Sequence, residues 1–331
     1  MKRRSIGTFF KGAGMGAADA VPGVSGGTIA FITGIYEELI DTIRRFGPGV
    51  WGVWRRGGVA GLWRYLNMAF LIPLLAGVGV SLFSVAHLAV WLMEQHPLLL
   101  NGFFFGLVAA STLVVSSASR RWKWRYVFAL LAGLLLANML PALMPLVLLL
   151  GNEAAVIMVA GAIAISAMLL PGVSGSFLLL TMGLYGTIMQ AIRGLDIVVI
   201  GLFGVGCAVG LALSSRLLAW LLRRYHDATL QLLLGFIVGS LPVLWPWREL
   251  LSYQLGPNEQ MVPLSYRYLM PDDYAMLTGN SAQVVGVVAL MLLGVVLVVA
   301  LNRQASHRRP APLEPRIAPE DTPRKGHSDK A

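Results

Sequence analysis

The pentapeptide Pro-Gly-Val-Ser-Gly occurs twice in this chain, at residues 22–26 and 171–175, each time in the middle of a long apolar stretch. Proline has no backbone N–H and crowds the preceding helical turn, so each copy predicts a break in a membrane helix. A broken helix leaves backbone N–H and C=O groups without partners, which hydrocarbon tolerates only where they are buried in protein or line a polar cavity. Paired breaks at matching positions of two repeats are typical of transporter binding sites.

The duplication extends beyond the motif. At an offset of 149 residues, the similarity of the two copies continues for about twenty residues. The identical pairs include Gly34 with Gly183, Tyr36 with Tyr185, Ile43 with Ile192 and Arg44 with Arg193. A weaker match relates residues 103–115 to residues 232–244. The chain is therefore predicted to contain two structural repeats.

The composition is that of a polytopic membrane protein. Hydrophobic residues make up 56% of the chain and charged residues only 13%, whereas ordinary soluble domains contain about 25% charged residues. A helix needs about 20 apolar residues to cross a bilayer. Six runs are long enough, at residues 68–93, 97–118, 126–150, 197–222, 229–247 and 282–301. Two further apolar stretches, at about 5–46 and 154–192, are split near their midpoints by the duplicated motif.

The distribution of lysine and arginine distinguishes two arrangements of the split stretches, because basic residues accumulate in short cytoplasmic loops. If both stretches are re-entrant hairpins and the N-terminus is cytoplasmic, 23 of the 26 basic residues lie inside. Only Arg193, Arg248 and Arg267 then lie outside. If either stretch crossed the membrane once, clusters of arginine would move to the external side. The charges therefore favour two re-entrant hairpins, with both termini in the cytoplasm.

An odd number of crossings separates the two hairpins, so one enters from the cytoplasm and the other from the opposite side. The predicted fold is an all-α polytopic membrane protein with two inverted-topology repeats. Each repeat is a re-entrant helical hairpin broken at Pro-Gly-Val-Ser-Gly and followed by three transmembrane helices. The repeats cover residues 1–151 and 152–302. Residues 303–331 are predicted to form a disordered, basic cytoplasmic tail, because they are rich in proline and charge.

The hairpin tips contain residue types that bind small anions. Glycines permit tight backbone turns and close approach of a ligand, and a hydroxyl residue at the start of the second half-helix suits its N-cap. The exposed N–H groups and positive dipole end of such a helix favour a phosphate. The predicted substrate-binding residues of the two tips are Ser25, Gly26, Gly27, Thr28, Ser174, Gly175 and Ser176. In the alternative interpretation, the breaks only pack the two hairpins against each other.

Ionisable residues inside a membrane are costly and are functional candidates by default. Asp19 has Met168 as its counterpart in the second repeat, and Glu37 has Gly186. Because acid lies on only one of two matched hairpins, both carboxylates are candidates for ion coupling. Asp19 is equally suited to cap loop amides. Glu37 is also suited to a solvated helix end.

Two arginines occupy equivalent positions at the exits of the hairpins, Arg44 in the first and Arg193 in the second. A guanidinium group binds phosphate through two parallel hydrogen bonds, which a lysine ammonium group does not. Both arginines are therefore candidates to contact an anionic substrate. The alternative role is that of an anchor at the membrane interface.

Other function classes fit the sequence poorly. The net charge of +10 is accounted for by the basic loops and the tail, so no nucleic-acid binding is expected. No Walker A loop and no H-E-x-x-H motif occurs in the sequence, which argues against an ATP-driven pump and a zinc protease. The histidines have no metal-ligand spacing with cysteine or carboxylates. We therefore expect neither a metal nor a cofactor.

The segments 12–19, 21–28, 34–37 and 170–176 resemble the polyprenyl-phosphate transporters of the PopT type, a family of bacterial and archaeal membrane proteins. The resemblance covers the chain to about Leu301 and excludes the tail. It implies a membrane transporter, and not an enzyme, that returns undecaprenyl phosphate from the outer to the cytoplasmic leaflet of the bacterial inner membrane. The implied partners are this lipid and the surrounding membrane lipids. Coupling to H⁺, to Na⁺ or to no ion is compatible with the motifs.

Two other functions share parts of the pattern. A transporter of a small soluble anion would use the same kind of tip. Undecaprenyl-pyrophosphate phosphatases, which are integral-membrane enzymes, also combine inverted repeats with a Pro-Gly-x-Ser-Arg-Ser loop. In this chain Gly26 and Gly175 stand where that loop has its arginine, and no second catalytic E-x-x-x-E pair accompanies them.

Overall fold

The structure is a computed structural model that describes residues 2–19, 25–47, 49–118, 124, 126–255 and 261–306. Three predicted features lie outside the described residues: the first motif up to Val24, the tail from residue 307 onward, and the side chain of Arg193. The described residues form fourteen α-helices and one two-stranded antiparallel sheet.

The first half of the chain contains seven of these helices. They are α1 (Lys2–Asp19), α2 (Gly26–Ile32), α3 (Tyr36–Arg44), α4 (Gly49–Tyr65), α5 (Met68–Gln95), α6 (Pro97–Ala118) and α7 (Tyr126–Leu143). A 3-10 helix at Met144–Leu150 extends α7. The last three helices coincide with the predicted crossings of the first repeat.

The second half repeats this order with different insertions. Its helices are α8 (Glu153–Leu169), α9 (Gly175–Thr181), α10 (Tyr185–Gly194), α11 (Ile197–Arg224), α12 (His226–Ser240), α13 (Pro271–Thr278) and α14 (Val284–Ser306). A 3-10 helix at Leu241–Leu244 extends α12. The strands β1 (Arg248–Leu255) and β2 (Met261–Tyr268) pair between α12 and α13. The predicted crossings of the second repeat coincide with α11, α12 and α14.

The lengths of the described helices fit a multi-pass membrane protein. Five are long and apolar enough to cross a bilayer, and they span Pro97–Ser116, Tyr126–Leu143, Ile197–Arg224, His226–Leu244 and Val284–Arg303. The sixth predicted crossing falls on α5, in which several side chains lie outside the described set. The prediction of an all-α polytopic membrane protein is therefore confirmed.

The helix bounds reproduce the duplication seen in the sequence. The ends of α9 lie 149 residues after those of α2, and α11 begins 129 residues after α5. The second offset is shorter because α4 is inserted between α3 and α5 of the first half; the sheet and α13 are a later insertion, between α12 and α14 of the second half. The orientation of the two halves in the membrane, and with it the inverted topology, stays a prediction.

Each split stretch contains a second break beyond the Pro-Gly motif. Gly34 and Gly183 adopt φ values of 71° and 74°, which favour glycine. Both end a short helix in a Schellman motif: the Gly34 N–H donates to the Phe31 carbonyl, and the Ile35 N–H to the Ala30 carbonyl. After the equivalent turn in the second half, α10 leaves α9 at an angle of 111°. The part of each split stretch that follows the Pro-Gly motif, which the sequence predicts as a single half-helix, therefore consists of two helices.

Four helix pairs hold the molecule together through reciprocal glycine contacts. In each pair a glycine of one helix lies so close to a backbone carbonyl of the other that a Cβ would overlap it, which is how small residues let membrane helices approach. The pairs are α1 with α5 (Gly12, Gly77), α8 with α11 (Gly161, Gly206), α6 with α14 (Gly106, Gly294) and α7 with α12 (Gly133, Gly235). The last helix of each half thus packs against the middle crossing of the other half.

Two glycines on α11 test these contacts in a matched way. A methyl group on Gly206 would overlap the carbonyl oxygen of Met158, whereas Gly204 has no neighbour within 4 Å. We expect Gly206→Ala to destabilise the protein by roughly 1–3 kcal/mol through overpacking. Gly204→Ala should be neutral or stabilising, because alanine favours helix. Thermal unfolding in detergent measures the difference, and equal midpoints for the two variants would contradict the close packing.

Candidate functional site

Helix α8 ends at the second Pro-Gly-Val-Ser-Gly motif, and side chains of the first hairpin donate hydrogen bonds to its last carbonyl groups. The Tyr36 hydroxyl donates to the Leu169 carbonyl at 2.8 Å. The Ser25 hydroxyl lies 3.5 Å from the Met168 oxygen and 3.4 Å from the Leu170 oxygen. The final carbonyls of a helix have no partner within it. Side chains of the first half therefore supply partners that α8 lacks.

A third contact joins the break after α8 to helix α2 of the first hairpin. The Gly172 N–H donates to the Thr28 hydroxyl at 2.9 Å, and Thr28 is only 1% exposed. Gly172 has a φ of 85°, and a Cβ on it would lie 2.9 Å from the Ile237 Cα atom of α12. This position therefore needs glycine for its backbone conformation and for the approach of α12. Through this contact the second motif packs against the first hairpin.

The N-terminus of α2 is capped by side chains of its own hairpin. The Gly26 N–H donates to the Asp19 carboxylate at 2.7 Å, and the Gly27 N–H donates to the Ser25 hydroxyl at 3.1 Å. The Thr28 N–H donates to the Ser25 carbonyl at 2.9 Å. The structure thus places Asp19 in its predicted capping role. The amides that the sequence assigned to a phosphate are engaged with protein groups in this conformation.

The second tip is more open, and none of the described carboxylates caps it. The Ser174 and Ser176 hydroxyl oxygens lie 3.0 Å apart, and both residues are half-buried. The Phe177 N–H is directed at the Ser174 hydroxyl at 3.5 Å. A Cβ on Gly175 would meet the Ala164 carbonyl, which explains the glycine there by packing. Since Met168 replaces aspartate, this tip offers hydroxyl groups beside an uncharged side chain.

A charged residue that the sequence analysis did not single out reaches the other end of α2. The Lys11 ammonium group donates to the carbonyl of Thr33, the C-cap of α2, at 2.6 Å. A cation at the C-terminal end of a helix and an anion at the N-terminal end both interact favourably with the helix dipole. With Asp19 at the start, α2 carries complementary charge at both ends. The counterpart of Lys11 in the second half is Ala160, so α9 lacks both charges.

The structure does not bring Glu37 and Arg44 to the tips. The Glu37 side chain is 65% exposed, and its carboxylate lies 3.2 Å from the His226 imidazole at the start of α12. The Arg44 guanidinium group pairs with the Asp41 carboxylate at 3.0 Å. Arg44 lies eight residues beyond Tyr36, which is about 12 Å along the helix. The sequence did not predict the partnership of Glu37 with His226.

Gln231 in α12 is a further polar residue that the sequence did not reveal. It is 1% exposed, and within the described residues neither its amide nitrogen nor its amide oxygen has a hydrogen-bond partner. A buried amide without hydrogen-bond partners lowers the free energy of unfolding. Leu230, Leu233 and Leu234 of the same helix are buried as well.

Comparison with known proteins identifies the family. Residues 15–262 match the model of a family described as VCA0040-like, undecaprenyl phosphate translocase-like. The chain belongs to this family. A polyprenyl-phosphate transporter of Vibrio cholerae is 42% identical over 300 residues, which cover 91% of this chain and 97% of that protein. A polyprenyl-phosphate transporter of Staphylococcus aureus is 33% identical over 266 residues, or 71% of this chain and 84% of that protein. No solved structure matches the chain significantly.

The hydrogen bond between the halves of this translocase-like protein can be tested with paired tyrosines. Tyr36→Phe removes the donor that the buried Leu169 carbonyl uses, which should cost about 1–3 kcal/mol of unfolding free energy. Its repeat counterpart Tyr185 is half-buried, and Tyr185→Phe should cost less. Thermal unfolding of the purified protein in detergent compares the two. A larger loss in Tyr185→Phe would show that the contact with α8 is not a stabilising one.

Proposed function

We propose that this protein is a membrane transporter that returns undecaprenyl phosphate, or a related polyprenyl phosphate, from the outer to the cytoplasmic leaflet of the bacterial inner membrane. The observation that carries the proposal is the 42% identity to a polyprenyl-phosphate transporter across nearly its whole length. The two helix breaks, which meet through Thr28 and Gly172, support it. Both termini are proposed to be cytoplasmic, as the basic residues indicate.

The second tip is the best candidate for first contact with the phosphate group. Ser174 and Ser176 present two hydroxyls 3.0 Å apart on half-buried residues. No carboxylate among the described residues caps this helix, so nothing there repels an anion in the way that Asp19 does at the first tip. We assign Arg193 to the external side of the same path, because its backbone lies near the end of α10, the helix that follows α9 and leads out of the second hairpin.

The remaining predicted residues fit later steps of an alternating-access cycle. Ser25, Gly26, Gly27 and Thr28 are buried and engaged with protein groups. They would contact substrate only after the two tips separate. Arg44, which is paired with Asp41, is proposed to act at the cytoplasmic exit of the hairpin.

Asp19 is the stronger of the two candidates for ion coupling. Its carboxylate accepts the Gly26 N–H at the first tip, so protonation would weaken the cap of α2 and loosen the contact between the halves. Glu37 is largely exposed and lies against His226, away from the tips. An imposed pH gradient would therefore act through Asp19.

Leaflet accessibility of undecaprenyl phosphate in proteoliposomes tests the function. Vesicles that contain the protein should expose lipid from the inner leaflet to an external reagent faster than vesicles without it. Excess inorganic phosphate should not inhibit this exchange. Exchange at the protein-free rate, or uptake of inorganic phosphate in place of lipid exchange, would instead support a soluble-anion transporter or another activity.

Removal of the two tip hydroxyls should impair transport more than folding. Because a hydrogen bond to a charged group contributes about 1.5–3 kcal/mol, Ser174→Ala with Ser176→Ala should slow lipid exchange roughly tenfold or more. Ser214→Ala is the control, since its hydroxyl donates to the Gly210 carbonyl of its own helix. If the double variant transports at the rate of this control, the second tip does not bind the phosphate.

Neutralisation of Asp19 should remove the response to a pH gradient. Asp19→Asn keeps an oxygen that accepts the Gly26 N–H, so the fold should persist while the titration is lost. Glu37→Gln should still respond, because Glu37 lies outside the tip contact. Lipid exchange is measured in proteoliposomes with and without an imposed gradient. A normal response in Asp19→Asn would place any coupling elsewhere.

A further inference from the structure

Helix α4 is an insertion in the first half that packs little against the rest of the molecule. None of its residues is buried, and it bends at Gly58, where φ is 54° and ψ is −155°. Only glycine adopts such a conformation without strain. The bend folds the helix into two short arms that touch: a Cβ on Gly61 would lie 3.7 Å from the Val53 carbonyl oxygen, and one on Gly49 would lie 3.5 Å from the Tyr65 hydroxyl.

An apolar cleft of about 340 Å³ opens between the arms. Its lining consists of Gly47, Val50, Trp51, Trp54 and Leu62. The rings of Trp51 and Trp54 lie 4.9 Å apart and are about half exposed. Indole rings prefer the interface between hydrocarbon and head groups, so the cleft has the chemistry of a site for an acyl chain that begins at this interface.

Two guanidinium groups border the cleft. Arg55 stacks on the ring of Trp51 at 4.8 Å from its centroid, which leaves its N–H groups free at the edge to donate. Arg216 of α11 reaches Gly47, so a Cβ there would overlap its guanidinium group. Helix α4 contains no acidic residue, and within the described part of the chain no carboxylate pairs with its arginines or with Arg216, which donates to the Ala212 carbonyl of its own helix. The border of the cleft is therefore an uncompensated cationic site.

We propose that the α4 cleft binds one anionic phospholipid of the adjacent leaflet, with an acyl chain between Trp51 and Trp54 and the phosphate group at Arg55 and Arg216. The apolar lining fits the chain, and the unpaired cations fit the head group. A zwitterionic lipid would leave the cations without net compensation. The site is separate from the helix breaks, and it holds a resident lipid instead of the transported one.

Quenching of tryptophan fluorescence by brominated lipids tests the proposal. The full-length protein is reconstituted in nanodiscs of phosphatidylcholine that contain a fixed fraction of brominated-chain phosphatidylglycerol or brominated-chain phosphatidylcholine. Phosphatidylglycerol should quench more. This excess should disappear in Trp51→Phe with Trp54→Phe. It should fall about fivefold for each arginine removed in Arg55→Gln and Arg216→Gln, the factor expected for one basic residue near an anionic surface.

Arg64→Gln is the matched control, because Arg64 lies on the same helix but is not among the residues that line the cleft. It should retain the excess quenching, as should the parent when undecaprenyl phosphate is added at the same mole fraction as the brominated lipid. Equal quenching by the two brominated lipids in the parent overturns the proposal. So does an equal loss in Arg64→Gln, which would indicate general attraction to charge. Selective displacement by undecaprenyl phosphate would assign the cleft to the transported lipid and also overturn it.

Discussion

Within a bilayer, the backbone N–H and C=O groups at a helix break have no water to bind, so each needs a partner from the protein. In this protein the partners come from the other half of the chain: Tyr36 and Ser25 serve the end of α8, and Thr28 serves Gly172. The polar site and the interface between the halves are consequently the same place. In the alternating-access cycle proposed above, movement of one half against the other would exchange these hydrogen bonds for bonds to a ligand or to water, which would link opening of the interface to occupancy of the proposed site.

The two halves share a scaffold but differ in charge. Lys11 and Asp19 sit at opposite ends of α2, whereas Ala160 and Met168 take their places beside α9. The charges at its two ends compensate the dipole of α2 and stabilise this short helix. The second short helix has no such compensation and presents hydroxyls instead. A duplicated fold thus supplies one tip whose helix ends are matched by charge and one, with hydroxyl groups, that we propose receives the phosphate.

The bilayer itself explains which parts of the fold could be predicted from the sequence. It requires about 20 apolar residues per crossing, so the six long helices could be predicted from apolar runs of that length in the sequence. The second break at Gly34 was not, because an isolated glycine in an apolar stretch marks close packing as readily as a turn, as Gly206 does. The partner of Glu37 lies 189 residues away at His226, and no local pattern connects them. Helix α4 and the β1–β2 sheet were missed because segments between crossings carry no requirement of apolar length.

The last helix of each half packs against the middle crossing of the other half, so these helix pairs can form only late in synthesis of the chain. Gly106 of α6 packs on the carbonyl of Met291, 185 residues later, and α7 finds its partner α12 only after more than eighty residues. The first half therefore leaves the ribosome with two helices whose glycine faces have no partner. Such long-range pairing is slow to form and exposes incomplete intermediates. The two faces are therefore covered in turn, that of α7 once α12 has been synthesised and that of α6 only with α14, the last of the described helices.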